Sequence, residues 1–250
     1  MTTRWQIVAF AVCLLLVLPA YLWNTSLFQL INEANTPIKD AVFGVVSGFG
    51  DGLVIALILF VLMLKNLRMG LAGLLAFILS GIVAQVLKRL FEMPRPPALF
   101  SDVHVLGDAL QAHSFPSGHA TSAGAMLMLC LLLFGVRDWR AWAGSLLFAL
   151  AAYGRIYGGV HFPLDVAAGI GVGVLCQIAC WQWLAVMPQQ AWESSEWAWK
   201  VPAVLLLISA VVLGLGYHIQ PSTASALGLV MPLLALLFFM QWWKGRAAHG

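Results

Sequence analysis

The sequence predicts an all-α protein: a polytopic transmembrane helix bundle of about eight spans, with a short interfacial helix after the first. Three observations predict it. Of the 250 residues, 62% are hydrophobic and 9% charged, where a soluble domain has about 45–50% and about 25%. The apolar residues collect in runs of about 20, the length a bilayer crossing needs. Lys and Arg gather at alternate ends of those runs, as the positive-inside rule expects.

Each element has its own justification. The first run covers residues 5–22. Arg4 and the apolar 7–18 stretch resemble a signal peptide, but no A-x-A site follows, and the expectation is an uncleaved span. Residues 24–51 are mixed. Leu27, Leu30, Ile31 and Ala34 share one helical face, with Asn32, Glu33 and Asn35 off it, which predicts a helix lying at the interface. Thr36-Pro37 with Asp40 reads as the start of another helix. A second span, best defined over 53–64, has a start blurred by Gly48, Gly50 and Gly52. The third covers 71–87 and ends at Lys88-Arg89. A polar loop, 91–114, carries Pro94, Pro96 and Pro97. The fourth span runs from Ser117 to before Arg137. The fifth covers 142–153 with an extension to 157, and the sixth runs from Pro163 to near Met187. After a polar turn at 188–200 come the seventh, 201–217, and the eighth, 224–243. The whole of 1–250 reads as one membrane domain, with a core at 71–187 and extra C-terminal spans at 201–243.

An even number of spans puts both termini on one side. Arg4, Lys65, Arg68, Arg137, Arg140, Lys200, Lys244 and Arg246 fall there, eight of the 13 Lys and Arg, so the termini are expected in the cytoplasm. Trp192, Trp197, Trp199, Trp242 and Trp243 fit an interfacial belt. The formal net charge is only +3 and there is no Lys/Arg run, which argues against nucleic acid as a partner. Cys13, Cys130, Cys176 and Cys180 all lie in apolar runs and read as packing residues, with no histidine cluster to complete a metal set.

Three polar islands interrupt this apolar chain: 88–96, 116–119 and 155–165. Ionisable residues at the ends of lipid-soluble helices point to function. Lys88 ends the third span, Ser117 begins the fourth, Arg155 ends the fifth and Asp165 begins the sixth. Consecutive spans reverse direction, so all four ends lie at one membrane face. Gly169, Gly171 and Gly173, with Gly154 and Gly158, would allow close helix contact there. Lys88, Arg95 and Arg155 suit an anion with several oxygens; taken singly, each would serve equally to bind lipid headgroups. Pro116-Ser117-Gly118-His119 is a helix start whose free N–H groups favour an anion, or an ordinary cap. Asp165 suits the first turn of a helix for dipole reasons alone. It would also serve to accept a hydrogen bond from one ring nitrogen of His161, leaving the other as nucleophile.

Together the islands resemble the type 2 phosphatidic acid phosphatase superfamily. Its Lys-x6-Arg-Pro motif matches Lys88, Arg95 and Pro96. Pro-Ser-Gly-His matches residues 116–119. Ser-Arg-x5-His-x3-Asp matches Arg155, His161 and Asp165, with Gly154 where the family usually has Ser. The resemblance implies that His161 attacks phosphorus, Asp165 orients it, and His119 protonates the leaving oxygen and then activates water. Lys88, Arg95, Ser117, Gly118 and Arg155 would hold the phosphoryl oxygens. No metal or other cofactor is expected, because cations take the metal's place. The expected partners are a lipid phosphate or diphosphate and the bilayer, with no obligate protein partner. The expected setting is a bacterial inner membrane with the site facing outward. Three cations favour a diphosphate such as undecaprenyl diphosphate. Phosphatidic acid, phosphatidylglycerol phosphate and lipid A phosphates are the alternatives. A lipid phosphotransferase, a haloperoxidase-like pocket, and a non-catalytic lipid transporter or scaffold are the competing classes. His104, His113, His218 and His249 are given no role.

Overall fold

The computed structural model describes residues 15–188, 191–219 and 224–247. Among the described residues, nine helices of ten or more residues carry the architecture: α1 (Asn24–Glu33), α2 (Pro37–Ser47), α3 (Gly52–Lys65), α4 (Leu67–Phe91), α5 (Gly118–Phe134), α6 (Trp139–Tyr157), α7 (Pro163–Val186), α8 (Trp197–Gly214) and α9 (Ser225–Ala247). No strand occurs among the described residues. The predicted all-helical class therefore holds, and the helix boundaries fall within a few residues of the expected runs.

Local chemistry sets those boundaries. Thr36 accepts a hydrogen bond from the Lys39 N–H and Pro37 opens α2, as the sequence predicts. Asn66 caps α4, Ser117 caps α5 and Asp138 caps α6, each with a side-chain oxygen on a first-turn N–H. Pro163 opens α7, and Asp165 closes its first turn by accepting from the Phe162 N–H at 2.8 Å. The three-glycine stretch that blurs the second span is a 3-10 turn, Gly48–Gly50, at which α2 and α3 bend by 58°.

Among the described residues, the helical stretches beginning at Leu67, Pro163, Trp197 and Ser225 are long and apolar enough to cross a membrane, and the bent α2–α3 pair would make a fifth. Length and apolarity alone do not reach the expected eight. Helix α5 has 17 residues, and α6 carries Arg140, Tyr153, Arg155 and Tyr157. Most of the first expected span, with Arg4 and Cys13, lies outside the described residues, as does His249.

The centre of the bundle is the α5–α7 contact. A Cβ on Gly173 would lie 2.0 Å from the Thr121 carbonyl oxygen, and one on Gly124 would lie 2.4 Å from that of Ile170. The two backbones touch, so no side chain fits between them. This contact sets the ends of α5 and α7 side by side, and the Ser117 N–H donates to the Asp165 carbonyl at 3.0 Å. Gly154 and Gly158 serve other neighbours: Gly154 faces Ser47 of α2, and Gly158 faces Leu106 in the long loop.

Helix α1 forms where the sequence predicts a helix, and the face it turns to the bundle lies beside the apolar stripe. Phe28 and Asn32 point inward, while Leu30 is exposed. Asn32 is tolerated there because its amide is fully used: Nδ2 donates to the carbonyls of His104 (2.7 Å) and Tyr157 (2.9 Å), and Oδ1 accepts from the His104 N–H at 3.0 Å. At the opposite end of the bundle, Arg68 pairs with Glu193 at 2.9 Å and donates to the carbonyls of Leu184 and Met187. Trp199, Trp242, Trp243 and Arg246 cluster at that end too.

Candidate active site

The third island folds back on itself. Gly158 and Gly159 end α6, and Gly159 takes φ +72° with the His104 carbonyl 2.2 Å from where a Cβ would be. Only glycine satisfies both conditions. The turn lets the N–H groups of Val160 and His161 share the Arg155 carbonyl, at 3.3 and 3.2 Å. His161 is thereby carried back beneath the end of α6 before Pro163 starts α7.

The His161 ring is buried between two kinds of group. Nε2 lies 3.3 Å from Arg95 Nη1. Nδ1 lies 3.4 Å from Ser114 Oγ and 3.5 Å from Asp165 Oδ2. Arginine can only donate. Nε2 must therefore carry the lone pair, and Nδ1 the proton. Burial, followed by the charges of Arg95, Arg155 and Lys88, pushes the His161 pKa well below its usual value, which keeps the ring neutral.

The expected direct His161–Asp165 hydrogen bond is replaced by a three-way arrangement. Ser114 Oγ donates to Asp165 Oδ2 at 2.5 Å and stands beside Nδ1. Asp165 Oδ2 already accepts from the Phe162 N–H, so the carboxylate both caps α7 and faces the ring. Sequence reasoning missed Ser114. Its only signal was its place at the loop end, two residues before Pro116.

The cations of the first island are held by loop carbonyls. Lys88 Nζ donates to His113 (2.5 Å) and Ser114 (3.3 Å). Arg95 donates through Nε to Ala112 (2.9 Å) and through Nη1 to Val160 (3.2 Å). Lys88 and Arg95 thus brace the strip that presents Ser114. In the second island, Ser117 Oγ accepts from the Ala120 N–H, which leaves its hydroxyl proton to give. A Cβ on Gly118 would meet open space. His119 is half-buried, and its Nε2 is a buried atom lacking a hydrogen-bond partner, as is Arg155 Nε. The charges of Arg155, Arg95 and Lys88 and the His161 ring all act on His119. Lys88, Arg95, Ser117, Arg155, His161 and Asp165 are thus linked through hydrogen bonds and the loop strip, with Gly118 next to Ser117 and His119 in the field of the same charges.

Two further findings concern residues outside the motifs. A Cβ on Gly154 would lie 2.1 Å from Ser47 Oγ. A hydroxyl from α2 therefore fills the space that a serine side chain at position 154 would need. His104 is also more than a loop residue: its Nε2 sits 2.9 Å from Asp40 Oδ1, which accepts from the Tyr157 hydroxyl at 2.5 Å. With Asn32, this network ties the long loop to α1, α2 and α6. The expected absence of a metal set was a reading of the motifs; among the described residues no three His, Cys, Asp or Glu side chains are grouped as metal ligands would be.

Comparison with known proteins places the chain in a family. The PAP2 superfamily pattern matches residues 70–189. An undecaprenyl-diphosphatase of Sulfolobus acidocaldarius is 30% identical over 59% of this chain and 71% of its own length. The crystal structure of Aquifex aeolicus LpxE superposes with a TM-score of 0.60 at 34% identity, over 64% of this chain and 94% of that one. The chain belongs to the PAP2 superfamily. A lipid A 4'-phosphatase of Porphyromonas gingivalis is 29% identical over 60% of this chain and 68% of its own. The PAP2 match takes in α4 to α7 and leaves α1–α3, α8 and α9 outside it. All three PAP2 islands fall within those four helices and their loops, and the multi-pass character of the chain accords with the membrane setting of this family.

Proposed function

We propose that this protein is a multi-pass membrane lipid phosphatase that hydrolyses a lipid diphosphate through a phosphohistidine on His161. The observation that carries the reading is the polarity of the His161 ring. Its Nε2 faces Arg95 while Nδ1 is held by Ser114 and Asp165, so the lone pair points toward the cations that would bind phosphate. In the first half-reaction that lone pair forms a bond to phosphorus. The bond to the leaving oxygen breaks, and His119, which holds a proton once the substrate's negative charge offsets the surrounding cations, gives that oxygen a proton. In the second, His119 takes a proton from water, the water oxygen attacks phosphorus, and the P–N bond breaks to release inorganic phosphate. Lys88, Arg95 and Arg155, with Ser117 and Gly118 at the start of α5, would hold the charge that spreads over the phosphoryl oxygens. Fixed cations supply that stabilisation without a metal.

A monophosphate brings about two negative charges, fewer than the three cations. That imbalance favours a diphosphate, and the polyprenyl diphosphate named for the Sulfolobus relative is the substrate proposed. The lipid A phosphate named for the Porphyromonas relative is the second reading. Eight spans would place the site at the outer face of a bacterial inner membrane with the termini in the cytoplasm and α1 along the interface.

The test is phosphate release by purified protein from undecaprenyl diphosphate, phosphatidic acid, phosphatidylglycerol phosphate and a lipid A phosphate in one detergent. The highest kcat/KM is expected for the polyprenyl diphosphate. A preference for another lipid overturns the substrate, and release of phosphate from none overturns the reaction class. An acid-labile phosphoprotein that is absent in His161→Ala checks the intermediate.

A further inference from the structure

The 3-10 turn between α2 and α3 reaches into the site from outside the family match. Gly50 lies against His119, with a Cβ placed there only 3.3 Å from the His119 Cβ and carbonyl oxygen. Three residues earlier, Ser47 packs on Gly154, next to Arg155. At the end of the same turn stands Asp51, 5% exposed and without a part in the chemistry derived above. Its Oδ1 caps α3, accepting from the N–H groups of Leu53 (2.9 Å) and Val54 (3.4 Å). Its Oδ2 accepts from the Tyr217 hydroxyl at 3.3 Å, just beyond the end of α8.

The cap explains a side-chain oxygen at this position, but not a charge, because Asn caps a helix as well as Asp does. A bare carboxylate buried inside a bundle is expensive unless a cation offsets it. Arg155 is the buried cation nearest in the fold: the turn packs on the end of α6 that carries it, its Nε has no hydrogen-bond partner, and the two side chains act on each other through charge without touching. Arg155 also feels the like charge of Arg95 across the site, which by itself would push the guanidinium away.

We propose that Asp51 is a positioning residue for Arg155, holding the guanidinium against the repulsion of Arg95, and that Tyr217 holds Asp51 in turn. The helices that follow the family core thereby help to build the anion site. Ile219, Ala224 and Leu227 press on Gly48 from the far side, so the turn is clamped between the C-terminal segment and His119. The inference rests on the reading of Arg155 as an anion-binding residue, and it does not depend on which lipid is the substrate.

The test is calorimetric titration of the purified full chain with orthovanadate, a phosphate mimic, alongside thermal unfolding and phosphate release. Asp51→Asn keeps the cap and removes the charge; about tenfold weaker vanadate binding is expected, the size of a coupling within one polar network, with the midpoint of unfolding nearly unchanged. Asp51→Glu is expected to recover part of the loss. Tyr217→Phe, which removes one hydroxyl, is expected to weaken binding about threefold, and it stands as the test if Asp51→Asn does not fold. Vanadate binding in both variants equal to or tighter than wild type overturns the inference, as does a wild type that binds no vanadate. Wild-type protein that binds vanadate with this pattern of losses but frees no phosphate from lipids would sink the proposed function and leave the inference standing.

Discussion

At the scale of single residues, the site turns on which nitrogen of His161 is held and which is free. His161→Ala is expected to reduce phosphate release to background. Asp165→Asn should lower kcat by about 10³–10⁴-fold, as loss of an orienting carboxylate does. Ser114→Ala should lower it by about 10- to 100-fold, because Asp165 can still reach the ring; a full loss would make Ser114 the main orienter. The depressed His161 pKa has a definite sign in both activity and stability. The ring stays neutral well below pH 6.5, so rates should not fall through loss of the nucleophile as pH drops past that value. Unfolding frees the ring to take a proton, so stability is full above about pH 6.5 and declines as pH falls below it. Pairing Gly154 with Ser47 gives a separate test. Gly154→Ser alone forces a clash with Ser47 Oγ at 2.1 Å, whereas in a Ser47→Ala background the nearest contacts are about 3.4 Å and ordinary. The single variant should lose about 1–3 kcal/mol of stability by thermal unfolding, and the double variant should recover most of it.

At the scale of helices and loops, the glycines and the buried amide of Asn32 decide whether the parts meet. Gly173→Val places branched carbons where the Thr121 carbonyl lies and should prevent α5 and α7 from docking, seen as aggregation on size exclusion. Asn32→Ala strands the His104 and Tyr157 carbonyls and the His104 N–H; a loss of about 1–3 kcal/mol is expected, and activity should fall with it because Arg95 and Ser114 sit on the loop that Asn32 helps to anchor. Much at this scale was legible in the sequence. Caps, prolines and apolar runs act within one turn of the chain, so Thr36, Ser117 and Pro163 could be assigned by inspection. Parity then brought Lys88, Ser117, Arg155 and Asp165 to one face without any knowledge of packing. The inner face of α1 could not be read in this way, since burying Asn32 depends on carbonyls at positions 104 and 157, far away in the chain. The same limit hid Ser114, His104 and Ser47. Each works through a neighbour more than 45 residues distant, and no local pattern marks such a pair.

At the scale of the whole molecule, orientation is the open quantity that charge distribution predicts. In a variant without native cysteines, Ala109→Cys in the loop beside Leu106 should react with an impermeant thiol reagent in intact cells; reaction only after permeabilisation would invert the orientation. The C-terminal pair also enters at this scale, because α8 and α9, expected as extra spans and long and apolar enough to be so, also bring Tyr217 and Leu227 onto the turn that faces His119. One dimension of the bundle has a wider consequence. At about 1.5 Å per residue, the 17 residues of α5 measure about 25 Å, less than the roughly 30 Å of hydrocarbon in a typical bilayer. Its neighbours α4 and α7 are longer, with 25 and 24 residues, and they enclose most of α5, so protein and not lipid makes up the difference. The end that is pinned is the one that carries the site, where the Ser117 N–H meets the Asp165 carbonyl. The shortfall is thereby left at the far end of α5, and the anion pocket takes its depth from α7.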